Sequence, residues 1–210
     1  AETAALLGGA SPAGVDGTVI APYSSGEIYA IRAANGRPTW AENLAAARRL
    51  DATSALADIR AHPVTDGSQV YAVSHSGRIV AIDMRSGVRA WDRNIGGVET
   101  PWIAGDWLFL VTNEAELVAL TRREGRVRWV AALDRYRDPD DRTDPIHWVG
   151  PLLVSGRLLL FGDHGEALVF DPADGRPVAA YDIRGGVIAA AVADGTLYLQ
   201  TRDADLIAYR

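Results

Sequence analysis

The stretch Ala61–Trp91 constrains the fold of this chain most strongly, because its pattern of turns and alternating side chains recurs along the sequence. Short runs that alternate between two sets of side chains are separated by the dipeptides Asp66-Gly67, Ser76-Gly77 and Ser86-Gly87. Alternation with a period of two is typical of strands, and glycine-containing dipeptides allow tight turns between antiparallel strands. The stretch therefore predicts a small antiparallel sheet that ends near Trp91.

Copies of the same unit cover nearly the whole sequence. They are Gly17–Trp40, Gly105–Trp129, Gly156–Ala179 and the shorter Gly195–Arg210. Successive copies start about forty or about fifty residues apart, a period typical of propellers built from four-stranded sheets. The predicted fold class is therefore all-β, a β-propeller with about five four-stranded blade units.

We expect a single repeat domain over residues 1–210. Its blade units are expected at residues 10–44, 58–95, 99–133, 147–183 and, incomplete, 187–210, with residues 1–7 as the last strand of a preceding blade. If these units are built for an eight-bladed propeller, they form an open arc that self-associates through its blade edges or belongs to a larger molecule. A closed five-bladed ring is the alternative.

Tryptophan recurs at one place in the repeat, four residues after a turn glycine. Trp40, Trp91 and Trp129 occupy it, whereas the fourth unit has Ala179 there and Tyr181 two residues later. A large aromatic residue at a strand end can lock each sheet to its neighbour in a repeat array. We therefore expect the three indoles to be buried where neighbouring sheets meet, in a structural role.

Composition excludes several classes of function. The net charge of −6 and the absence of a basic run argue against a nucleic-acid partner. The chain has no cysteine, which excludes disulfides and thiolate metal sites, and its basic residues are all arginine, which excludes a P-loop lysine or a Schiff base. No Gly-x-Ser-x-Gly motif is present, so the sequence predicts no catalytic residue and no cofactor.

Two connections between units carry insertions. The first, residues 41–63, is rich in alanine and is interpreted either as a solvated loop or as a short helical turn. The second holds five aspartates between residues 134 and 144 together with three arginines. Clustered carboxylates can bind calcium, but the EF-hand spacing is missing, so a solvated loop with Arg-paired carboxylates is the favoured interpretation and no metal ligand is predicted.

The strings AIRAANGRPTW, AIDMRSGVRAW and ALTRREGRVRW resemble the tryptophan-docking repeat of propellers named for pyrroloquinoline quinone (PQQ). With the long segment 41–63 followed by GRIVAIDMRSGVRAWDRNIGG, the whole chain is similar to the BamB family of outer-membrane protein assembly factors, of the alphaproteobacterial type. The resemblance implies a PQQ-like β-propeller that acts as a scaffold without enzymatic activity. It also implies a periplasmic location at the outer membrane, through a lipid anchor that this sequence lacks.

The resemblance further implies a protein partner, the POTRA domains of BamA. The family's two contact loops match residues 4–9 and 56–62, which makes Leu6, Leu7, Asp58 and Arg60 the expected partner-binding residues. Leu7 stands where the family's best-known member has Arg, and Arg60 stands where that member has Asp. An exposed leucine pair beside charged residues is typical of an apolar anchor with a polar rim, whereas the alternative is that Leu6 and Leu7 face the core.

Two other functions remain open at this stage. A PQQ-dependent quinoprotein dehydrogenase shares the tryptophan motif, but such enzymes usually add adjacent cysteines beside the cofactor, and this chain has none. The other alternative is an interaction propeller with different protein clients. The inserted loops also lack the bulk that such enzymes use to build a site over the channel, so the scaffold is favoured over the enzyme.

Overall fold

The structure is a computed structural model that describes residues 10–44 and 59–210. All regular secondary structure in these residues is β-strand. Across the same residues, no helix is long and apolar enough to cross a membrane. Leu6, Leu7 and Asp58, three of the expected partner-binding residues, lie outside the described residues.

The described strands form five antiparallel sheets and one separate hairpin. The first sheet contains β1 (Ala13–Val15), β2 (Thr18–Pro22), β3 (Glu27–Arg32) and β4 (Pro38–Asn43), in that order. The second contains β5 (Val64–Thr65), β6 (Gln69–Ser74), β7 (Arg78–Asp83) and β8 (Arg89–Arg93). The third contains β9 (Trp102–Ala104), β10 (Trp107–Val111), β11 (Glu116–Thr121) and β12 (Val127–Ala132).

The remaining strands follow the same plan with one addition. A hairpin of β13 (Tyr136–Asp138) and β14 (Thr143–Pro145) interrupts the series. The fourth sheet contains β15 (Trp148–Val154), β16 (Arg157–Gly162), β17 (Glu166–Phe170) and β18 (Pro177–Asp182). The fifth contains β19 (Val187–Ala193), β20 (Thr196–Thr201) and β21 (Leu206–Tyr209). The hairpin lies where the sequence predicted a loop.

The chain divides into two compact units. The first comprises Ala1–Leu108 and Leu120–Arg126, and the second comprises Phe109–Ala119 and Val127–Arg210. The core of the first unit is a cluster of fully buried aliphatic residues around the Trp40 indole. Its members come from the strands of the first two sheets and from the segments beside them: Ile20, Ile28, Ala30, Leu44, Ile59, Val70, Ala72, Val80 and Ile82.

In each of the first two sheets, three residues paired in register on neighbouring strands form a row across the sheet. The last residue of this row is the repeated tryptophan. In the second sheet the row runs Tyr71, Ala81, Trp91, because Tyr71 pairs with Ala81 and Ala81 with Trp91. Residues in register share a sheet face, so the small alanine leaves room for the two large rings on either side of it. The Tyr71 and Trp91 ring centroids are 6.0 Å apart.

In the first unit, the tryptophan at the end of each row lies on the turn between the third and fourth strands of the next sheet. The Trp91 indole covers Gly125, where a Cβ would lie 2.5 Å from the ring, and its Nε1 donates a hydrogen bond to the Arg122 carbonyl oxygen at 2.9 Å. Trp40 lies in the same way on Gly87 and donates to the Met84 carbonyl oxygen at 2.8 Å. Only glycine permits this close approach, and both glycines also have positive φ.

The second unit contains the third example. Trp129 covers Gly175, where a Cβ would overlap its ring, and its Nε1 donates to the Pro172 carbonyl oxygen at 3.1 Å. Phe109 packs against this indole with ring centroids 5.9 Å apart. Tyr181, the aromatic residue of the fourth unit, is 61% exposed and therefore does not replace the missing tryptophan.

A polar contact also joins the second and third sheets within the first unit. Asp66 Oδ2 lies 3.4 Å from Arg122 Nη1 and accepts a hydrogen bond from the Tyr71 hydroxyl at 3.1 Å. Partial burial of the carboxyl would raise the pKa of Asp66. Hydrogen bonds from the Gln69 and Ser68 backbone amides and from the hydroxyls of Ser68 and Tyr71 outweigh this effect, so its pKa lies below the ordinary value of 3.8.

Replacement of Trp91 by Ala should lower the free energy of unfolding by about 3–5 kcal/mol, the range for a large buried aromatic side chain. Trp91 is 7% exposed, so the change removes ring contacts and leaves the Arg122 carbonyl without its donor. Urea unfolding followed by circular dichroism measures the loss. Val88→Ala in the adjoining turn is the control, since Val88 is 64% exposed and should change stability little. Equal midpoints for the two variants would contradict the prediction.

Asp66→Asn should reduce the loss of stability in acid. Because the folded-state pKa of Asp66 is lowered, its contribution is complete above the unfolded-state pKa and is lost as the pH falls through the folded-state pKa. Unfolding free energies measured from about pH 5 down to about pH 2 should therefore fall less steeply for Asp66→Asn than for the wild type. Tyr71→Phe, which keeps the Asp66 carboxyl, should retain most of the steep fall in unfolding free energy. Identical slopes for wild type and Asp66→Asn would show that the carboxylate does not contribute.

Candidate protein-interaction surface

The long connections emerge from a defined end of their sheets. In an antiparallel sheet with sequential strand order, the turn between the second and third strands lies at the same end as the connection that follows the fourth strand. We call this the loop end of each sheet. Residues 44–63 leave the loop end of the first sheet, and residues 133–147 leave that of the third.

The first insertion is held at both of its described ends by buried residues. Leu44, which follows β4, is fully buried, and its amide donates to the Gly26 carbonyl oxygen at 2.8 Å. Ile59 and Ala61, where the described chain resumes, are each 1% exposed. Leu44 and Ile59, which flank residues 45–58 in the sequence, therefore belong to the core of the first unit.

Arg60 is the one expected partner-binding residue that the structure describes. Its neighbours Ile59 and Ala61 face the core, so alternation turns Arg60 outward, and it is exposed. The adjoining His62 amide donates to Thr100 Oγ1 at 3.3 Å, which fixes the backbone beside the connection between the second and third sheets. The guanidinium of Arg60 is thus presented from a fixed segment of backbone.

The second insertion, in the second unit, is a hairpin fixed to the fourth sheet. β13 and β14 pair through Tyr136 with Pro145 and Asp138 with Thr143. At its base, the buried Trp148 donates from Nε1 to the Asp134 carbonyl oxygen at 2.8 Å. All residues from 137 to 145 are exposed, so the hairpin contributes little to the core.

A buried carboxylate, Asp163, holds this hairpin in place. Asp163 lies in the turn after β16, and its side chain is only 4% exposed. Its Oδ1 accepts from the His147 backbone amide at 3.2 Å and from Arg137 Nη2 of the hairpin at 3.4 Å. Its Oδ2 accepts from Arg202 Nη2 of the fifth sheet at 2.7 Å. Because a buried charge is costly unless it is paired, these contacts satisfy it and join three segments.

Glycines permit the close packing around Asp163. A Cβ at Gly186, at the start of the fifth sheet, would overlap the Asp163 carbonyl oxygen. A Cβ at Gly162 would overlap the His164 ring, which stacks edge-on against Trp148 with centroids 5.4 Å apart. His164 Nε2 also lies 3.2 Å from Glu166 Oε2. The loop end of the fourth sheet is therefore a compact polar cluster.

Sequence reasoning missed the Asp163 cluster. Asp163 and Arg202 occupy the same position in successive sheets, directly after the second strand. Nothing in the sequence distinguishes this aspartate from other turn residues. The signal that was available is weaker: an acidic and a basic residue at equivalent places in neighbouring units.

The aspartates of the hairpin are not arranged around a common centre. Asp138 Oδ1 accepts from the backbone amides of Asp140 and Asp141, both at 3.1 Å, and so shapes the hairpin tip. Within the described ranges, no group of three or more His, Cys, Asp or Glu side chains is placed to hold a metal ion. The hairpin is thus a projecting, largely acidic surface feature.

Comparisons with known proteins agree on one family. Residues 1–131 match the family model described as outer membrane protein assembly factor BamB. Among similar proteins, the outer membrane protein assembly factor BamB of Salmonella typhimurium is 28% identical over 207 residues, which are 97% of this chain and 50% of that protein. The chain spans about half the length of the curated relatives it matches.

Solved structures show the same fold. The crystal structure of BamB from Moraxella catarrhalis matches with a TM-score of 0.85 at 19% identity, over 98% of this chain and 60% of that chain. A quinohemoprotein alcohol dehydrogenase from Pseudomonas putida matches with a TM-score of 0.64 at 16% identity, over 96% of this chain and 41% of that chain. The predicted fold class, an all-β chain of PQQ-like propeller repeats, is confirmed.

Replacement of Asp163 by Ala should lower the free energy of unfolding by about 1–3 kcal/mol, because the His147 amide and two guanidinium groups lose their acceptor. Amide hydrogen exchange measured by mass spectrometry should also become faster in the peptides that contain the hairpin. Asp141→Ala at the exposed hairpin tip is the matched control and should leave both measurements nearly unchanged. If the hairpin peptides of Asp163→Ala exchange their amide hydrogens at the wild-type rate, contacts other than those of Asp163 hold the hairpin.

Proposed function

Because the chain belongs to the family of the outer membrane protein assembly factor BamB, we propose that it is an accessory propeller of the β-barrel assembly machinery that binds another protein and catalyses no reaction. The observation that carries this proposal is the match of residues 1–131 to that family. Relatives carrying the same description align over nearly the whole chain.

The proposed partner is the POTRA region of BamA. The expected contact residues combine two adjacent leucines, Leu6 and Leu7, with the charged residues Asp58 and Arg60. Protein interfaces typically combine an apolar anchor with a polar rim, and this set supplies both. The fixed backbone around Arg60 supports the proposal, since ordering a contact residue before binding reduces the entropy lost on association.

The proposed location is the periplasmic face of the outer membrane, where proteins of this description would meet their clients. The charge of the chain suits a protein partner more than a polyanion, since the net charge is −6. In this proposal the sheets position the loops, and the loops make the contacts.

A quinoprotein dehydrogenase is the second candidate, since a quinohemoprotein alcohol dehydrogenase shares the fold. Its likeness at 16% identity concerns the fold alone, and fold does not imply function. Titration of the chain with PQQ, followed by absorbance with and without calcium, separates the two candidates. Saturable binding with alcohol-dependent dye reduction would favour the enzyme over the scaffold.

Binding to the cognate BamA POTRA domains should depend on the two expected loops. The double variant Leu6→Ala, Leu7→Ala should weaken binding by about tenfold or more, because truncated apolar anchors carry most of the affinity of an interface. Arg60→Asp should weaken it as well, with a stronger effect at low salt. Biolayer interferometry with immobilised POTRA domains measures both.

Arg37→Asp is the matched control for the charge change. Arg37 is also exposed, but it lies in the turn between β3 and β4, at the end of the first sheet opposite to the loop end. Equal losses of binding affinity for Arg37→Asp and Arg60→Asp would show that the effect depends only on net charge. Wild-type affinity in the double leucine variant would contradict the proposed interface.

A further inference from the structure

The segment that carries Arg60 is held by contacts of two kinds. Ile59 and Ala61, on either side of Arg60, are each 1% exposed and hold the segment against the protein interior. Apolar burial has no preferred direction, whereas a hydrogen bond does. The His62 amide donates such a bond to Thr100 Oγ1 at 3.3 Å. This bond therefore orients the backbone that carries Arg60.

Thr100 belongs to residues 94–101, the connection between the second and third sheets, which is itself fixed. The Gly97 amide in this connection donates to the Ser74 carbonyl oxygen at 3.3 Å. Ser74 is the last residue of β6 and is 0% exposed. Gly97, before Thr100, and Pro101, after it, are both buried. The Thr100 hydroxyl is therefore an acceptor in a fixed position.

The two partners of this hydrogen bond occupy equivalent places in neighbouring sheets. His62 lies two residues before β5, and Thr100 lies two residues before β9. β5 and β9, the first strands of the second and third sheets, are in contact within the first unit. Each first strand begins at the loop end of its sheet, so the bond joins two segments at the loop ends. The segment that carries Arg60 is thus held by a second connection as well as by the interior.

We propose that Thr100 is a positioning residue for the partner-binding surface, acting on Arg60 through the His62 amide. This role rests on the proposed function, in which Arg60 contacts the POTRA region of BamA. With the Thr100 acceptor in place, the backbone of Arg60 has one orientation before binding, so less conformational entropy is lost on association. Without it, residues 60–62 adopt several orientations in the free chain, and the affinity falls although the Arg60 side chain is unchanged.

Thr100→Val tests this role, because valine has nearly the shape of threonine but no hydroxyl. We expect it to weaken binding of the cognate POTRA domains by roughly three- to tenfold in biolayer interferometry, the effect of one hydrogen bond. Thr100→Ser, which keeps the hydroxyl, should bind with nearly wild-type affinity. Thr100→Ala, which also lacks the hydroxyl, takes the place of Thr100→Val if that variant does not fold.

Thr121→Val is the matched control for the loss of a hydroxyl. Thr121 Oγ1 also accepts a hydrogen bond from a backbone amide, that of Arg126, at 3.0 Å. This bond lies at the turn between β11 and β12, at the end of the third sheet opposite to its loop end. Thr121→Val should therefore keep the wild-type affinity for the POTRA domains.

A double-mutant cycle separates positioning from general stabilisation. In a chain that already carries Arg60→Ala, the contact that Thr100 orients is absent, so Thr100→Val should cause no further loss of affinity. A purely structural role of Thr100 predicts the same fold loss in the wild-type and Arg60→Ala backgrounds.

Amide hydrogen exchange of the free chain tests the hydrogen bond without any partner. The exchange rate of the His62 amide, followed by nuclear magnetic resonance, should rise severalfold in Thr100→Val, because the amide loses its acceptor. The rate in Thr100→Ser should stay close to that of the wild type.

Wild-type affinity in Thr100→Val would overturn the role of Thr100 alone. An equal loss in the Arg60→Ala background, or an unchanged exchange rate of the His62 amide, would do the same. Absence of saturable POTRA binding by the wild-type chain is a different result, since it overturns the proposed function and, with it, the role of Thr100.

Discussion

The docking of a tryptophan on a glycine turn of the next sheet is the interaction on which the rest of the structure depends. A single small antiparallel sheet buries too little apolar surface to be stable alone. The indole of Trp91 adds a large apolar area, a hydrogen bond to Arg122 and a fixed distance to Gly125 in one contact. The same contact recurs with Trp40 in the first unit and Trp129 in the second, so neighbouring sheets that share a tryptophan contact are oriented by each other within one unit.

This rigid framework leaves the loops free to vary. The core of the first unit includes Leu44 and Ile59, the described residues on either side of the first insertion. Arg60 follows directly after the buried Ile59, so the position of its backbone is fixed. A protein-binding surface built in this way gains specificity from its loops and precision from the sheets beneath them.

The second insertion is fixed by a different physical means. The hairpin β13–β14 has no large apolar side chain facing the core, and a buried carboxylate, Asp163, replaces hydrophobic anchoring. A buried charge requires complete pairing, and here Arg137, Arg202 and the His147 amide provide it. Such a cluster is specific in geometry, because loss of Asp163 removes the acceptor that all three donors share.

The sequence by itself determined the fold class and the family, because alternation interrupted by glycine turns such as Ser76-Gly77 is a local property that needs no tertiary context. It also indicated which tryptophans repeat. Only the tertiary structure decided that residues 134–147 contain a hairpin, that Asp163 meets Arg202 across two sheets, and that the Trp40 indole lies on Gly87. The reason is that periodicity reports which face a side chain takes within one sheet, whereas contacts between residues distant in the chain depend on how sheets pack, which no local pattern encodes.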